Sequence, residues 1–165
     1  MKVLGIDPGT AACGYGVVRR EGTRLVSVDF GWFSTPAAQE PQVRLKRVHD
    51  ALGELIVRHE PDAAAVEESF VGVDARTALS VGQARGAVLV ACANADLSCA
   101  EYTPATVKQA VCGYGRADKA QVQRMVRAIL SLDEEPRPHH AADALAVAIC
   151  HALASPLLTL AEARP

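Results

Sequence analysis

Val3-Leu4-Gly5-Ile6-Asp7-Pro8-Gly9-Thr10, followed by Gly14-Tyr15-Gly16-Val17-Val18, is the stretch on which the fold turns. Val3 to Ile6 is a short apolar run that stops at a cluster of turn formers, Asp7 to Thr10, and so reads as a strand closed by a turn. Tyr15 to Val18 is a second strand. Arg20-Glu21-Gly22-Thr23 makes the next turn. Val26, Val28, Phe30 and Trp32 then alternate onto one face of a third strand, with Trp32 read as strand packing. Turns this tight make the three strands antiparallel neighbours.

Working outward, the period changes. Leu45, Val48, Leu52, Leu55 and Ile56 follow helical spacing, so Pro41 to His59 is an amphipathic helix ended by Pro61-Asp62. Ala63 to Val66 leads into Glu67 as a short buried strand between breakers. A second helix is expected from an Asp74 cap to about Asn94, and a fifth strand over Leu97 to Tyr102. Thr103-Pro104 starts a third helix that Gly113 stops, and Asp118 caps a fourth. A last helix runs from His139 to about Ala154. The order implies an α/β fold, a mixed five-stranded sheet flanked by helices. Residues 1–155 are expected to form one domain, with 156–165 a flexible tail.

Composition agrees. The chain has 165 residues, 50% hydrophobic and 22% charged, which excludes disorder, collagen and coiled coil. Aromatics are 4%, while Ala supplies 30 residues, so the core is Ala, Val and Leu. The five cysteines form no CxxC pair and read as reduced thiols of a cytoplasmic protein. The N-terminus enters a strand without the regions of a signal peptide, and no apolar run reaches membrane length. The net charge of −2 argues against a nucleic-acid binder. However, Arg76 to Arg127 holds seven basic residues and three acids, a local +4 that leaves −6 elsewhere. A basic face and a scatter of charges both fit that arithmetic.

Three acids stand out by position. Asp7 ends the first strand, Glu67 ends the fourth, and Asp143 lies in the opening turns of the last helix. His140 precedes Asp143 by three residues and shares its helix face. If the first and fourth strands are neighbours, the helix can bring Asp143 over Asp7 and Glu67. Clustered carboxylates repel one another, and a hard divalent cation removes that cost. Two such ions, Mg²⁺ or Mn²⁺, can activate a water and stabilise a leaving oxygen in phosphodiester hydrolysis. Each acid also has an ordinary alternative: Asp7 as a turn cap, Glu67 as a partner for Arg, Asp143 as a helix N-terminal acid.

These blocks resemble RuvC, the family of bacterial Holliday junction resolvases. The opening motif is joined by Val66-Glu67-Glu68-Ser69-Phe70, Gly82-Gln83-Ala84-Arg85-Gly86, Val107-Lys108-Gln109-Ala110-Val111, Gly113-Tyr114-Gly115 with Lys119, and Ala141-Ala142-Asp143-Ala144-Leu145-Ala146. They occur in the family's order across nearly the whole chain. The resemblance implies a ribonuclease-H-like fold, a homodimer, and metal-dependent nicking of two strands of a four-way DNA junction. It carries the catalytic and metal-binding roles to Asp7, Glu67, His140 and Asp143. Many family members have Asp where this chain has His140, and others have His. His140 either contacts a second metal or handles the attacking water. His139, about 100° around the helix, is a bystander. The resemblance also implies the branch-migration proteins RuvA and RuvB as partners.

Lys108 and Lys119 match basic positions near the family's active site, and the chain has only four lysines. Phe70 is a candidate for stacking on an unpaired base, or else a core plug, and Arg76 is a candidate DNA contact. Gly82 and Gly86 lie four apart in a helix, where each costs about 1 kcal/mol relative to Ala. Close packing explains them, either across a dimer or within the monomer. Competing functions are a nuclease acting on RNA or hybrid, an actin-like ATPase, and a non-catalytic junction binder. The ATPase needs two such domains, and the intact acids disfavour the last.

Overall fold

The computed structural model describes residues 1–68 and 75–162, the side chains of 155–162 excepted. Strands β1 (Lys2–Asp7), β2 (Ala12–Glu21) and β3 (Arg24–Ser34) form the antiparallel set. Helix α1 (Pro41–His59), strand β4 (Ala63–Glu67), helix α2 (Ala75–Asn94) and strand β5 (Cys99–Tyr102) follow. Helices α3 (Pro104–Cys112), α4 (Lys119–Leu130) and α5 (His139–Glu162) complete the chain. The sheet order is β3-β2-β1-β4-β5, with β4 and β5 parallel to β1. This is the mixed five-stranded α/β architecture expected from the sequence.

The caps are the ones the residues dictate. The Thr103 hydroxyl accepts from the Thr106 amide ahead of Pro104, and Asp118 with Gln121 closes a reciprocal capping box. Gly113 ends α3 in the left-handed conformation.

Two apolar layers cover the sheet. On one face Leu4, Ile6, Val17 and Val66 pack against Val48 and Leu52 of α1 and Val88 of α2. On the other, Val3, Val18 and Ala65 pack against α5, with α3 and α4 outside it. Helix α5 lies very close to the sheet. A Cβ on Gly5 would fall 2.1 Å from the carbonyl oxygen of Ala144, and one on Gly14 would fall 2.0 Å from that of His140. Only hydrogen at these positions lets the helix descend onto β1 and β2.

Three expectations change. Trp32 is 49% exposed rather than packed, on β3, the edge strand of the sheet. The fifth strand starts at Cys99, not Leu97. The Leu97 amide is drawn back to the Cys92 carbonyl at the end of α2, and pairing with β4 begins only at Cys99 with Ala64. The backbone of α5 continues past Ala154 to Glu162, through Ser155-Pro156 and the helix formers beyond. Asp74 and Phe70 lie outside the described residues, as do 163–165. Among the described residues, no helix is long and apolar enough to cross a membrane.

Candidate active site

Register places the first two acids side by side. Ile6 pairs with Val66 in the parallel β1–β4 ladder, so Asp7 and Glu67 emerge next to each other from the ends of adjacent strands. Adjacent strands are about 4.8 Å apart. Helix α5 then supplies the third and fourth groups. His140 Nδ1 lies 2.7 Å from Asp7 Oδ2, and Asp143 Oδ2 lies 3.5 Å from Lys119 Nζ. Gly14 pairs with Asp7 and carries the close approach to His140, so one strand position sets both the acid and its partner.

The electrostatics follow from crowding. Burial is the largest influence on Glu67, and with the charges of Asp7 and Asp143 it pushes this carboxyl up to about 7. Lys119 and Lys108 act in the opposite direction, the weaker influences. Asp7 is also raised, chiefly by burial and further by Asp143, against the pull of its hydrogen bond to His140. Two raised carboxyls with a third acid beside them are a site short of positive charge.

The four groups open into a cleft of about 790 Å³. Its lining includes Pro8 to Ala12, Arg76, Ser80 and Val81 of α2, and Lys119. A smaller hollow of about 210 Å³ adjoins it, where Glu67 and Asp143 meet Lys108 and Lys119. Lys108 thus reaches the acids from α3 and Lys119 from the start of α4. His139 points elsewhere, with Nδ1 2.9 Å from Gln123 Nε2 on α4. The structure therefore gathers Asp7, Glu67, His140, Asp143, Lys119 and Arg76 about the cleft, with Lys108 at the adjoining hollow.

The donors suit a hard divalent cation. Three carboxylates offer anionic oxygen and His140 a nitrogen, and the raised carboxyls show that charge compensation is wanted there. Among the described residues, no three His, Cys, Asp or Glu side chains are already closed into a ligand set. The Asp7–His140 hydrogen bond ties up two donors that would have to turn toward an ion.

Sequence reading missed a set of neighbours behind the opening loop. Arg44 on α1, Thr35 after β3 and Ser80 on α2 all bond to Thr10. They are 25 to 70 residues apart along the chain from Thr10, and no local spacing announces them.

Residues 3–151 match the family described as Crossover junction endodeoxyribonuclease RuvC. A relative of that description from Chloroflexus aggregans is 54% identical over 158 residues, covering 96% of each chain. The structure is similar to that of Thermus thermophilus RuvC, with a TM-score of 0.89, 42% identity, and coverage of 96% of this chain and 98% of that one. It is also similar to T. thermophilus RuvC in complex with Holliday junction substrate, with a TM-score of 0.87, 40% identity and coverage of 95% and 96%. Carboxylates at adjacent strand ends, a mixed five-stranded sheet and matches over nearly the full length agree: the chain belongs to the RuvC family of crossover junction endodeoxyribonucleases, which are ribonuclease-H-like nucleases.

Proposed function

We propose that the chain resolves Holliday junctions in homologous recombination and DNA repair, nicking two strands of a four-way junction by metal-dependent hydrolysis. The observation that carries this is the convergence of Asp7, Glu67, Asp143 and His140 at one cleft with lysines on its rim. Asp7, Glu67 and Asp143 would hold Mg²⁺ or Mn²⁺, two ions per site, with His140 contacting the second. Bound there, the ions would supply an activated water and charge stabilisation at the leaving oxygen. Lys108 and Lys119 hold the strand by its phosphates, and Arg76 contacts DNA at the α2 wall. The test is a labelled four-way junction beside linear duplex and RNA–DNA hybrid, with and without Mn²⁺. Junction binding without cleavage under every metal would overturn the reading. Preferential cleavage of hybrid would replace it with the ribonuclease alternative.

His140 is expected to set metal choice, since its nitrogen is a softer donor than a carboxylate. His140→Asp should keep cleavage and move the ratio of Mn²⁺-supported to Mg²⁺-supported rates toward Mg²⁺. An unchanged ratio would remove this role.

The working unit is a homodimer built on α2. A Cβ added at Gly82 or Gly86 would meet nothing within 4 Å, so packing within one chain does not explain these glycines. Leu79 and Val90 are 64% and 53% exposed on the same helix, where a second copy would cover them. Val90→Glu should convert dimer to monomer in sedimentation at micromolar concentration and uncouple the two nicks. A wild-type protein that already sediments as a monomer would remove the paired mechanism. The reading places the chain in the cytoplasm, with RuvA and RuvB as the partners that the family implies.

A further inference from the structure

We propose that Arg44 is a positioning residue for the metal-binding end of β1, acting through a clamp on Thr10. The inference rests on Asp7 being a metal ligand, as proposed above.

The loop from Pro8 to Ala11 follows Asp7 directly and forms one wall of the cleft. Thr10 is held from both sides. Its carbonyl oxygen accepts from Arg44 Nη2 at 2.8 Å and from the Thr35 hydroxyl. Its own hydroxyl lies 2.6 Å from Ser80 Oγ on α2. The Thr35 hydroxyl in turn accepts from Arg44 Nε at 2.8 Å, so one guanidinium both donates to the Thr10 carbonyl and holds the hydroxyl that donates beside it. Thr35 is 6% exposed, and its amide donates to the Ala11 carbonyl at 3.4 Å. The loop has little slack, since a Cβ on Gly9 would fall 2.3 Å from the Ala12 carbonyl oxygen.

Two features separate this arrangement from ordinary surface packing. Arg44 directs both donors to uncharged oxygens rather than to a carboxylate. It also sits in the first turn of α1, just past the N-cap Glu40, where the helix dipole disfavours a cation. A cation kept in such a place gains from the charge-assisted bonds it makes there. The fork of the guanidinium matches two acceptors at once, a geometry that no other side chain offers. The consequence is a fixed exit direction for Asp7, three residues upstream, and a fixed distance between the loop and α2.

The test uses the full-length protein and Arg44→Met. Mn²⁺ binding is measured without DNA by the electron paramagnetic resonance of the free ion. Junction affinity is measured in EDTA, and cleavage is titrated with Mn²⁺. Loss of a group bonded directly to a ligand costs about 10- to 100-fold in metal affinity; Arg44 acts one step further out, through Thr10, so Arg44→Met should fall at the low end, about tenfold. Junction affinity should stay within about twofold, because the phosphate contacts lie elsewhere. Saturating Mn²⁺ should recover most of the cleavage rate, and Arg44→Lys, with one bond to the Thr10 carbonyl, should restore most of the metal affinity. If Arg44→Met does not fold, Thr35→Val decides, since it removes one donor from the same carbonyl at nearly constant volume. Wild-type Mn²⁺ affinity in the deciding variant overturns the clamp. So does equal loss of metal and junction affinity, the signature of a general loss of structure. Asp7→Asn is the companion control. If it binds Mn²⁺ like the wild type, the metal-site reading falls and the clamp with it. If it is deficient while the deciding variant is normal, only the clamp falls.

Discussion

Asp7→Asn is expected to lower junction cleavage about a hundred- to a thousandfold, on the scale set by removing one preorganised charge-stabilising group from an active site. The substitution is nearly isosteric, and the strand pairing of Asp7 with Gly14 depends on backbone alone, so the fold should persist. What is lost is an anionic oxygen at the point where β1, β4 and α5 converge. Junction affinity should change by no more than about twofold, because phosphate contacts from lysine and arginine dominate binding. Gel-shift titration and single-turnover cleavage measure the two quantities. A variant that still cleaves at a tenth of the wild-type rate would place the chemistry elsewhere in the cleft.

The second large effect is on stability. Burial and the charges of Asp7 and Asp143 hold the folded Glu67 carboxyl at about 7, against an ordinary value of 4.5. Between those values the folded protein keeps a proton that the unfolded chain has released. Stability in EDTA should therefore fall as pH rises from about 4.5 to 7 and stay low above it, by roughly 2–3 kcal/mol from this group. The raised Asp7 carboxyl acts in the same direction. A divalent ion bound to the deprotonated acids reverses the trend, since its binding is added to folding. Thermal melts at pH 5 and pH 7.5, in EDTA and in Mn²⁺, check this. Glu67→Gln should flatten the EDTA curve. A wild-type slope that survives in Glu67→Gln would assign the effect to other groups.

The resting state these values describe is an acid cluster restrained by protons and lysines. Asp7 holds His140 by a hydrogen bond, and Asp143 has Lys119 at 3.5 Å. Lys119 is 74% exposed on its side chain, so that pair adds little to stability. It is easily exchanged for an ion or a substrate phosphate. The net charge of −2 does not describe this site, because the acids and the basic rim are concentrated together.

Much of this was legible in the residues. Strand β1 ends at Asp7 because Pro8-Gly9 cannot continue it. The caps Thr103 and Asp118 and the stop at Gly113 fall where local hydrogen bonding requires them. The α1 boundaries follow from helical spacing between prolines. Reading failed where the outcome depended on what lies across the sheet. Trp32 alternates like a packed strand residue, but no periodicity says that β3 is the edge. Leu97 has strand character, yet a bond to the end of α2 takes its amide away.

What the sequence determined by itself is the set of elements, their order, and the acids at the ends of two strands and the start of one helix. These are local matters, decided by turn chemistry, side-chain period and caps within a few residues. Only the tertiary structure decided that β1 and β4 are neighbours, that glycines at 5 and 14 admit α5 until His140 touches Asp7, and that Arg44 and Ser80 hold the loop from opposite sides. Those facts depend on pairs separated by 34 to 133 residues. They are selected by close packing and by the need to satisfy buried polar groups, neither of which leaves a period in the chain.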